Sequence, residues 1–255
     1  MSTPASTPAI PRPAATIILL RDGAAGLEVL LICRAREVAF ASGALVFPGG
    51  RVEEADALLA PPGDPLGAFR VGAIREAWEE TGVLLAHPPA PVTTAETEFH
   101  ALLRDRGVAP AHGLLTHFAH WITPAHSPKR FDTHFFVAEA PEGQIAVHDG
   151  HEAVEAVWMR PGEAVEEADS GRRTLVFATR LNLLRLARSG TVAEAIAAAR
   201  ITPIVTVTPQ PEPDGAGGVN LRIPLAAGYG ADLFPAKDRP ASGGLWPGQS
   251  APAAR

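Results

Sequence analysis

The chain has 255 residues, 46% of them hydrophobic and 20% charged, a globular composition that excludes disorder as its overall state. A net charge of −6 with no long basic run removes the electrostatic case for nucleic-acid binding. The single cysteine, Cys33, excludes an internal disulfide framework and a cysteine-based zinc site, and no run of eighteen apolar residues is present to span a membrane. Residues 1–13 are rich in Pro, Ser, Thr and Ala and lack an apolar core, so they read as a flexible tail rather than a signal peptide. A cytoplasmic protein is the expectation.

Ala15 to Leu20 is a short apolar run that predicts a first strand, and Arg21 to Gly26 reads as a hairpin loop. Leu27 to Cys33 predicts a second strand, nearly continuous in apolar residues and therefore buried. Phe47-Pro48-Gly49-Gly50 is a tight turn, whose glycines let a ligand approach the main chain. Pro61 to Gly67 is a turn-rich loop, and a helix follows it. Four of the six residues from Arg75 to Glu80 are charged. Glu76, Glu79 and Glu80 are spaced i, i+3, i+4, so their carboxylates project from one face. Like charges at that spacing destabilise an isolated helix, and a bound divalent cation reverses the sign. Ala73, Ile74, Ala77 and Val83 supply an apolar side, and Gly82 suits the helix C-terminus.

Further on, Ala95 to Arg106 predicts an amphipathic helix, and Arg130 to Ala138 a strong strand. Gln144 to Val147 reads as another strand, and Glu152 to Trp158 as an alternating segment. Gly162 to Asp169 begins an acidic helix. Leu175 to Arg188 is an amphipathic one with Leu181, Leu184 and Leu186 apolar. Thr191 caps a helix over Val192 to Arg200, with Glu194 placed for a capping box. Ile201 to Val207 and Val219 to Pro224 have β character around a Gly/Pro segment, and from Pro235 onwards Pro, Gly, Ala and Ser dominate. His117, His120, His126 and His134 lie close in sequence but show no familiar zinc spacing, so they are expected to be ordinary surface or loop histidines. His126, Lys129 and Arg130 crowd positive charge beside a strand start and suit an anion.

The glycine turn and acidic helix together resemble the Nudix box: Gly, five residues, Glu, seven residues, then Arg-Glu-U-x-Glu-Glu-x-Gly-U with U apolar. Gly50 fits the first position and Arg75 to Val83 fit the second half, with the small Ala77 in an apolar slot. Asp56 stands where the first Glu is expected, and the spacer from Ala57 to Ile74 is eighteen residues, about eleven longer than the pattern. Before the box, Leu30, Leu31, Arg34, Ala35, Gly43 and Phe47 to Gly50 match a signature of coenzyme A-hydrolysing Nudix enzymes. Ile32 and Ala39 replace its Thr and second Arg. Trp121 to Pro124 and Arg130 to Thr133, with the helix from Ala73 to Leu85, resemble a split-box branch of the family, that of the peroxisomal coenzyme A diphosphatase.

The resemblance implies an α/β fold, a Nudix α/β/α sandwich with a mixed sheet plus additional C-terminal helices. Its expected divisions are the tail 1–13, a Nudix domain over 14–165 with an insertion at about 57–70, packed helices and short strands over 166–234, and a poorly ordered tail over 235–255. It implies Mg²⁺ or Mn²⁺ held by Glu76, Glu79, Glu80 and a Gly49 carbonyl, and hydrolysis of a diphosphate linkage by an activated water. Arg75 takes a positioning role, as a residue that orients a ligand carboxylate. Glu152 is the first choice for a further carboxylate acting as ligand or base, ahead of Glu155 and Glu139. Arg34, Arg36, Phe47, Gly50, Arg51 and Arg130 are the expected substrate contacts. The leading substrate is coenzyme A or an acyl-CoA, giving 3′,5′-ADP and (acyl-)4′-phosphopantetheine. The alternatives are an ADP-ribose or dinucleotide pyrophosphatase, a nucleotide-sensing module without catalysis, and a structural partner protein. The expected partner is a small-molecule diphosphate, with no nucleic acid and no membrane. The frequency of dimers in the family admits a homodimer.

Overall fold

The computed structural model describes residues 9–35, 43–89 and 98–238. Strand β1 (Arg12–Gly23) turns tightly into β2 (Gly26–Arg34), and both outrun the apolar runs that announce them. Their polar ends pair at the hairpin, where Arg21 sits opposite Glu28 and the two side chains bond at 2.7 Å. Short strands β3 (Leu45–Val46) and β4 (Gly49–Arg51) lead into helix α1 (Glu54–Leu58) and the long helix α2 (Gly67–Thr81). The box insertion therefore forms a short connection and the first turn of α2. Gly82 ends α2 at φ +68°, the left-handed conformation that favours glycine at a C-cap.

Two-residue strands β5 (Ala86–His87) and β6 (Ala109–Pro110) pair around helix α3 (Phe99–Arg106), whose N-cap is Glu98. The helix is shorter than Ala95 to Arg106, and residues 95–97 lie outside the described segments. Strands β7 (Thr116–Ile122) and β8 (Phe131–Glu139) follow, then β9 (Ala153–Met159). Gln144 to Val147 is not a strand. Instead the Gln144 amide takes the N–H and the C=O of Leu84 at 2.8 and 3.0 Å, so a side chain satisfies groups that a ladder would otherwise satisfy.

Strands β1, β2, β3, β4, β7, β8 and β9, with β10 (Thr206–Val207), form one eight-stranded sheet. Its path is β10-β7-β8-β1-β2-β3, with β4 on β1 and β9 on β2. The β1–β8 and β7–β10 pairs are parallel and the others antiparallel, so the sheet is mixed. Alternation along β1 sends Ile17 and Leu19 to the α2–α3 side, against Ile74, Trp78, Phe99 and Phe136. It sends Ile18 and Leu20 to the opposite core, shared with α4 (Pro161–Asp169), α5 (Phe177–Leu186) and α6 (Val192–Ile201). The result is the expected α/β/α sandwich with C-terminal helices.

Helix α5 starts two residues later than its apolar pattern and buries Leu181, Leu183 and Leu186, while Leu184 is exposed. At α6, Thr191 Oγ1 accepts the Glu194 N–H, but the Glu194 carboxylate accepts from Gly190 rather than Thr191, so the box closes one residue early. Strands β11 (Gln210–Pro213), β12 (Val219–Arg222) and β13 (Leu233–Pro235) make a small separate sheet. Beyond β13, buried Asp238 pairs with buried Arg180 at 2.5 Å. Among the described residues, no helix is long and apolar enough to cross a membrane.

Candidate active site

The site forms where β4 passes the carboxylate face of α2. Gly49 lies opposite Thr16 on β1, and Gly50 opposite Ala15. A Cβ on Gly49 would fall 2.5 Å from the Ala15 carbonyl oxygen, so the strand approaches only without a side chain there. A Cβ on Gly50 would fall 2.5 Å from the Glu76 carboxylate. The glycine turn therefore lets the acidic face come up against the backbone. The Gly49 N–H donates to Glu80 Oε2 at 2.8 Å.

Arg75 anchors the helix from beneath. Its Nε and Nη2 donate to the two oxygens of Asp56 at 2.9 and 3.1 Å, and Nη2 also donates to the Arg51 carbonyl at 2.8 Å. Nη1 donates to Glu76 at 3.0 Å and to Glu79 at 2.8 Å. Arg75 thus pairs with Glu79 at i, i+4 and joins it to Glu76 and Asp56 through one guanidinium. Asp56, fully buried, is its principal partner. Asp56 also accepts the Glu53 N–H at 2.8 Å, tying α1 to the same guanidinium.

A second arginine enters from β2. Arg34 donates from Nη1 to Glu80 at 3.3 Å and from Nη2 to Glu152 at 3.2 Å. Its buried Nε has no hydrogen-bond partner among the described residues. Glu152, ahead of β9, is mostly exposed but faces the cleft, held by Arg34 and by its own N–H bonded to Asp149. The structure separates the three late carboxylates. Glu155 pairs with Arg173 at 2.5 and 2.8 Å, and Glu139 is exposed at the far end of β8, opposite Leu20.

Burial raises Glu76 to about 7 and Glu80 to about 8, with the neighbouring carboxylates adding to the rise. Arg75 opposes the shift at Glu76, and the Gly49 N–H and Arg34 oppose it at Glu80. Glu79 is raised in the same way by burial, again against Arg75. Two cations thus balance several crowded carboxylates incompletely.

The cleft, of about 400 Å³, is lined by Arg34, Gly49, Gly50, Arg51, Arg75, Glu76, Glu79 and Glu152, together with Glu53, Thr16 and Thr133. It joins an apolar cavity walled by Val46, Phe47, Trp121, Phe135, Val176 and Phe177. The two share Thr16, Arg34, Gly49, Thr123 and Thr133. Phe47 thus belongs to the apolar part. Arg130 does not line either space: its guanidinium binds the carbonyls of Thr123 and Ala9 at 3.0 and 2.7 Å. His126 and Lys129 are exposed and line neither space. Arg36 and Ala39 lie outside the described residues. Thr16 and Glu53 carried no sequence signal, one being an ordinary strand residue and the other an ordinary surface carboxylate, while Thr133 stood in the Arg130 to Thr133 run without being singled out.

An α/β/α domain presenting an Arg-Glu-x-x-Glu-Glu helix to a glycine strand defines a recognisable class. The description of that class, the NUDIX domain, matches residues 10–178, and the chain belongs to the Nudix family. Among solved structures, the crystal structure of a NUDIX hydrolase from Alicyclobacillus acidocaldarius is similar, with 29% identity and a TM-score of 0.68. The match covers 78% of this chain and 100% of that one. The putative nudix hydrolase 7 of Caenorhabditis elegans is 31% identical over 159 residues, 58% of this chain and 52% of that protein. The acyl-coenzyme A diphosphatase NUDT19 of Homo sapiens is 29% identical over 209 residues, 56% of each. The chain spans about half the length of these curated relatives.

Proposed function

We propose that the protein is a metal-dependent hydrolase cleaving the diphosphate linkage of coenzyme A or an acyl-CoA, with 3′,5′-ADP and (acyl-)4′-phosphopantetheine as products. The observation that carries this reading is the junction of a carboxylate cleft with an apolar cavity across five shared residues. A diphosphate with an acylated pantetheine arm needs both environments side by side, whereas ADP-ribose carries no comparable apolar arm. The similarity to an acyl-coenzyme A diphosphatase points the same way.

The donor set fits a hard divalent cation. Its oxygens come from Glu76, Glu79 and Glu80, whose pKa is raised first by burial and then by neighbouring carboxylates, and Gly50 leaves room that a Cβ would fill. Mg²⁺ or Mn²⁺ bound there would neutralise charge on the diphosphate oxygens and acidify the attacking water.

The chain's own residues do the rest. Arg75 fixes Glu76 and Glu79, so their oxygens need little reorganisation on binding. Arg34 and the Gly49 N–H hold Glu80. Arg51 and Arg34 line the cleft and present positive charge to the phosphates. Glu152 takes the proton of the water whose oxygen forms a new bond to phosphorus, while the bridging P–O bond breaks and its electron pair leaves with the departing phosphate.

The test is product analysis by mass spectrometry on coenzyme A, acetyl-CoA, ADP-ribose and a diadenosine polyphosphate, with Mg²⁺ or Mn²⁺, for wild type and Glu80→Gln. Preferred cleavage of the coenzyme A compounds, lost in the variant, is expected. Preference for ADP-ribose or the dinucleotide would overturn the substrate assignment and keep the chemistry. Nucleotide binding without cleavage would overturn the catalytic reading in favour of a sensor.

A further inference from the structure

Three histidines and an aspartate dispersed in sequence meet on the face of the sheet that α2 covers, where His134 packs on Phe69 and His117 on Phe136. Strands β7 and β8 pair antiparallel, with His120 opposite His134 and Ile122 opposite Asp132. A register irregularity between His117 and Ala119 lets His117 join His120 on one face. Asp132 and His134, two apart on β8, share that face by alternation, while Thr133 between them lines the cleft on the other.

The imidazoles of His120 and His134 stack with centroids 4.1 Å apart. His120 Nε2 lies 2.5 Å from Asp132 Oδ1, and His134 Nε2 lies 4.0 Å from the same oxygen. The cluster offers three ligand atoms, all within 4.8 Å of one another. The remaining ring nitrogens are already engaged. His120 Nδ1 bonds Thr206 Oγ1 at 2.8 Å, and His134 Nδ1 bonds His117 Nε2 at 3.0 Å. Partners at the far nitrogen fix ring orientation and tautomer, the arrangement that supports metal-ligating histidines. The side chains of His120 and His134 are 15% and 13% exposed and that of Asp132 35%, so the cluster is lined by protein yet reachable by an ion.

We propose that His120, His134 and Asp132 form a binding site for a borderline divalent transition ion of the Zn²⁺ class, separate from the carboxylate site on α2. Two imidazole nitrogens and one carboxylate favour such an ion over Mg²⁺, which prefers oxygen alone. Small side-chain rotations draw the three atoms to metal–ligand distances of about 2.0–2.2 Å, and water completes the coordination. His120 reaches Thr206 on β10, so the ion would fasten β10 to β7 and β8 and brace the strand that carries Thr133 into the cleft.

The experiment uses the full chain without a polyhistidine tag, stripped by chelator and held in excess Mg²⁺. Co²⁺ is titrated as a visible probe, and Zn²⁺ is then added to displace it. One equivalent of Co²⁺ with d–d absorption, displaced by Zn²⁺, is expected. It should be lost in His120→Gln and Asp132→Asn and kept in Glu79→Gln. Zn²⁺ at 100 times its Kd should raise the Tm of wild type by about 5–10 °C. X-ray absorption on the Co²⁺-loaded wild type needs no variant and should show two imidazole nitrogens. Absence of binding, binding lost only in Glu79→Gln, or a spectrum without imidazole would overturn the proposal and leave the cluster as a hydrogen-bonded His–Asp pair. Cleavage of diphosphates plays no part in these readouts.

Discussion

Asp56→Asn tests how the site is held. The substitution keeps the side chain's size and removes the charge that Arg75 meets through two hydrogen bonds in a fully buried setting. Breaking a buried ion pair by removing one partner costs about 3–5 kcal/mol, because the remaining charge stays desolvated. Arg75 keeps Glu76, Glu79 and the Arg51 carbonyl, which places the expectation at the lower end, about 3 kcal/mol. In a chain of this size that corresponds to a Tm lower by about 6–12 °C. Urea unfolding followed by tryptophan fluorescence and far-UV circular dichroism measures it, with agreement of the two probes checking two-state behaviour. Glu155→Gln is the internal control. It breaks the Arg173 pair, which is about a third exposed, and should cost under about 1 kcal/mol. A loss under about 1 kcal/mol for Asp56→Asn as well would refute the claim that this buried pair, rather than helix propensity, holds the carboxylate face in place.

The two glycines of the turn should separate. Gly49→Ala meets backbone at 2.5 Å and should lower stability by about 1–3 kcal/mol, whereas Gly50→Ala meets only the Glu76 carboxylate and should weaken divalent-cation affinity with little change in Tm. Equal Tm losses in the two variants would contradict this. pH dependence has a definite sign. Glu76 and Glu80 are raised, so the metal-free native state binds more protons than the unfolded chain above about 4.5, and stability falls as pH rises towards 8. His117 and His134, lowered to about 4 chiefly by burial, act oppositely between about 4 and 6.5. The decline should therefore stand clear between pH 6.5 and 8, amount to a few kcal/mol on the order of one to two pK units, and flatten in Glu80→Gln. Chemical denaturation in chelator at several pH values checks it, and a rise in wild-type stability over that window would count against the crowded-carboxylate picture. Tyr229→Phe removes a hydroxyl that accepts from Trp121 Nε1 at 3.0 Å and donates to Asn182 Oδ1 at 2.7 Å. Two buried partners lose their bonds, so a stability loss of about 1–3 kcal/mol is expected in the same unfolding assay.

What the sequence determined by itself is local. The i, i+3, i+4 spacing put Glu76, Glu79 and Glu80 on one helical face because the 3.6-residue period is a property of the backbone alone. Gly82 marked the end of that helix, Thr191 the start of another, and the apolar runs of β1 and β2 announced a buried hairpin, since capping and burial are written within a few residues of where they act. Only the tertiary structure decided the rest, because those contacts depend on strand register and on packing across long separations. Arg34 reaches Glu80 across 46 residues and Glu152 across 118, and Arg75 finds Asp56 across 19. Spacing could not decide among Glu152, the first choice, and Glu155 and Glu139 behind it, and the fold placed the first at the cleft, the second against Arg173 and the third at the far end of β8. Arg130, a good anion contact by charge, is drawn away by two backbone carbonyls that the chain must satisfy. The histidines had no recognisable spacing and were expected at the surface or in loops, yet one irregularity in β7 and the alternation of β8 bring His117, His120 and His134 to a single face.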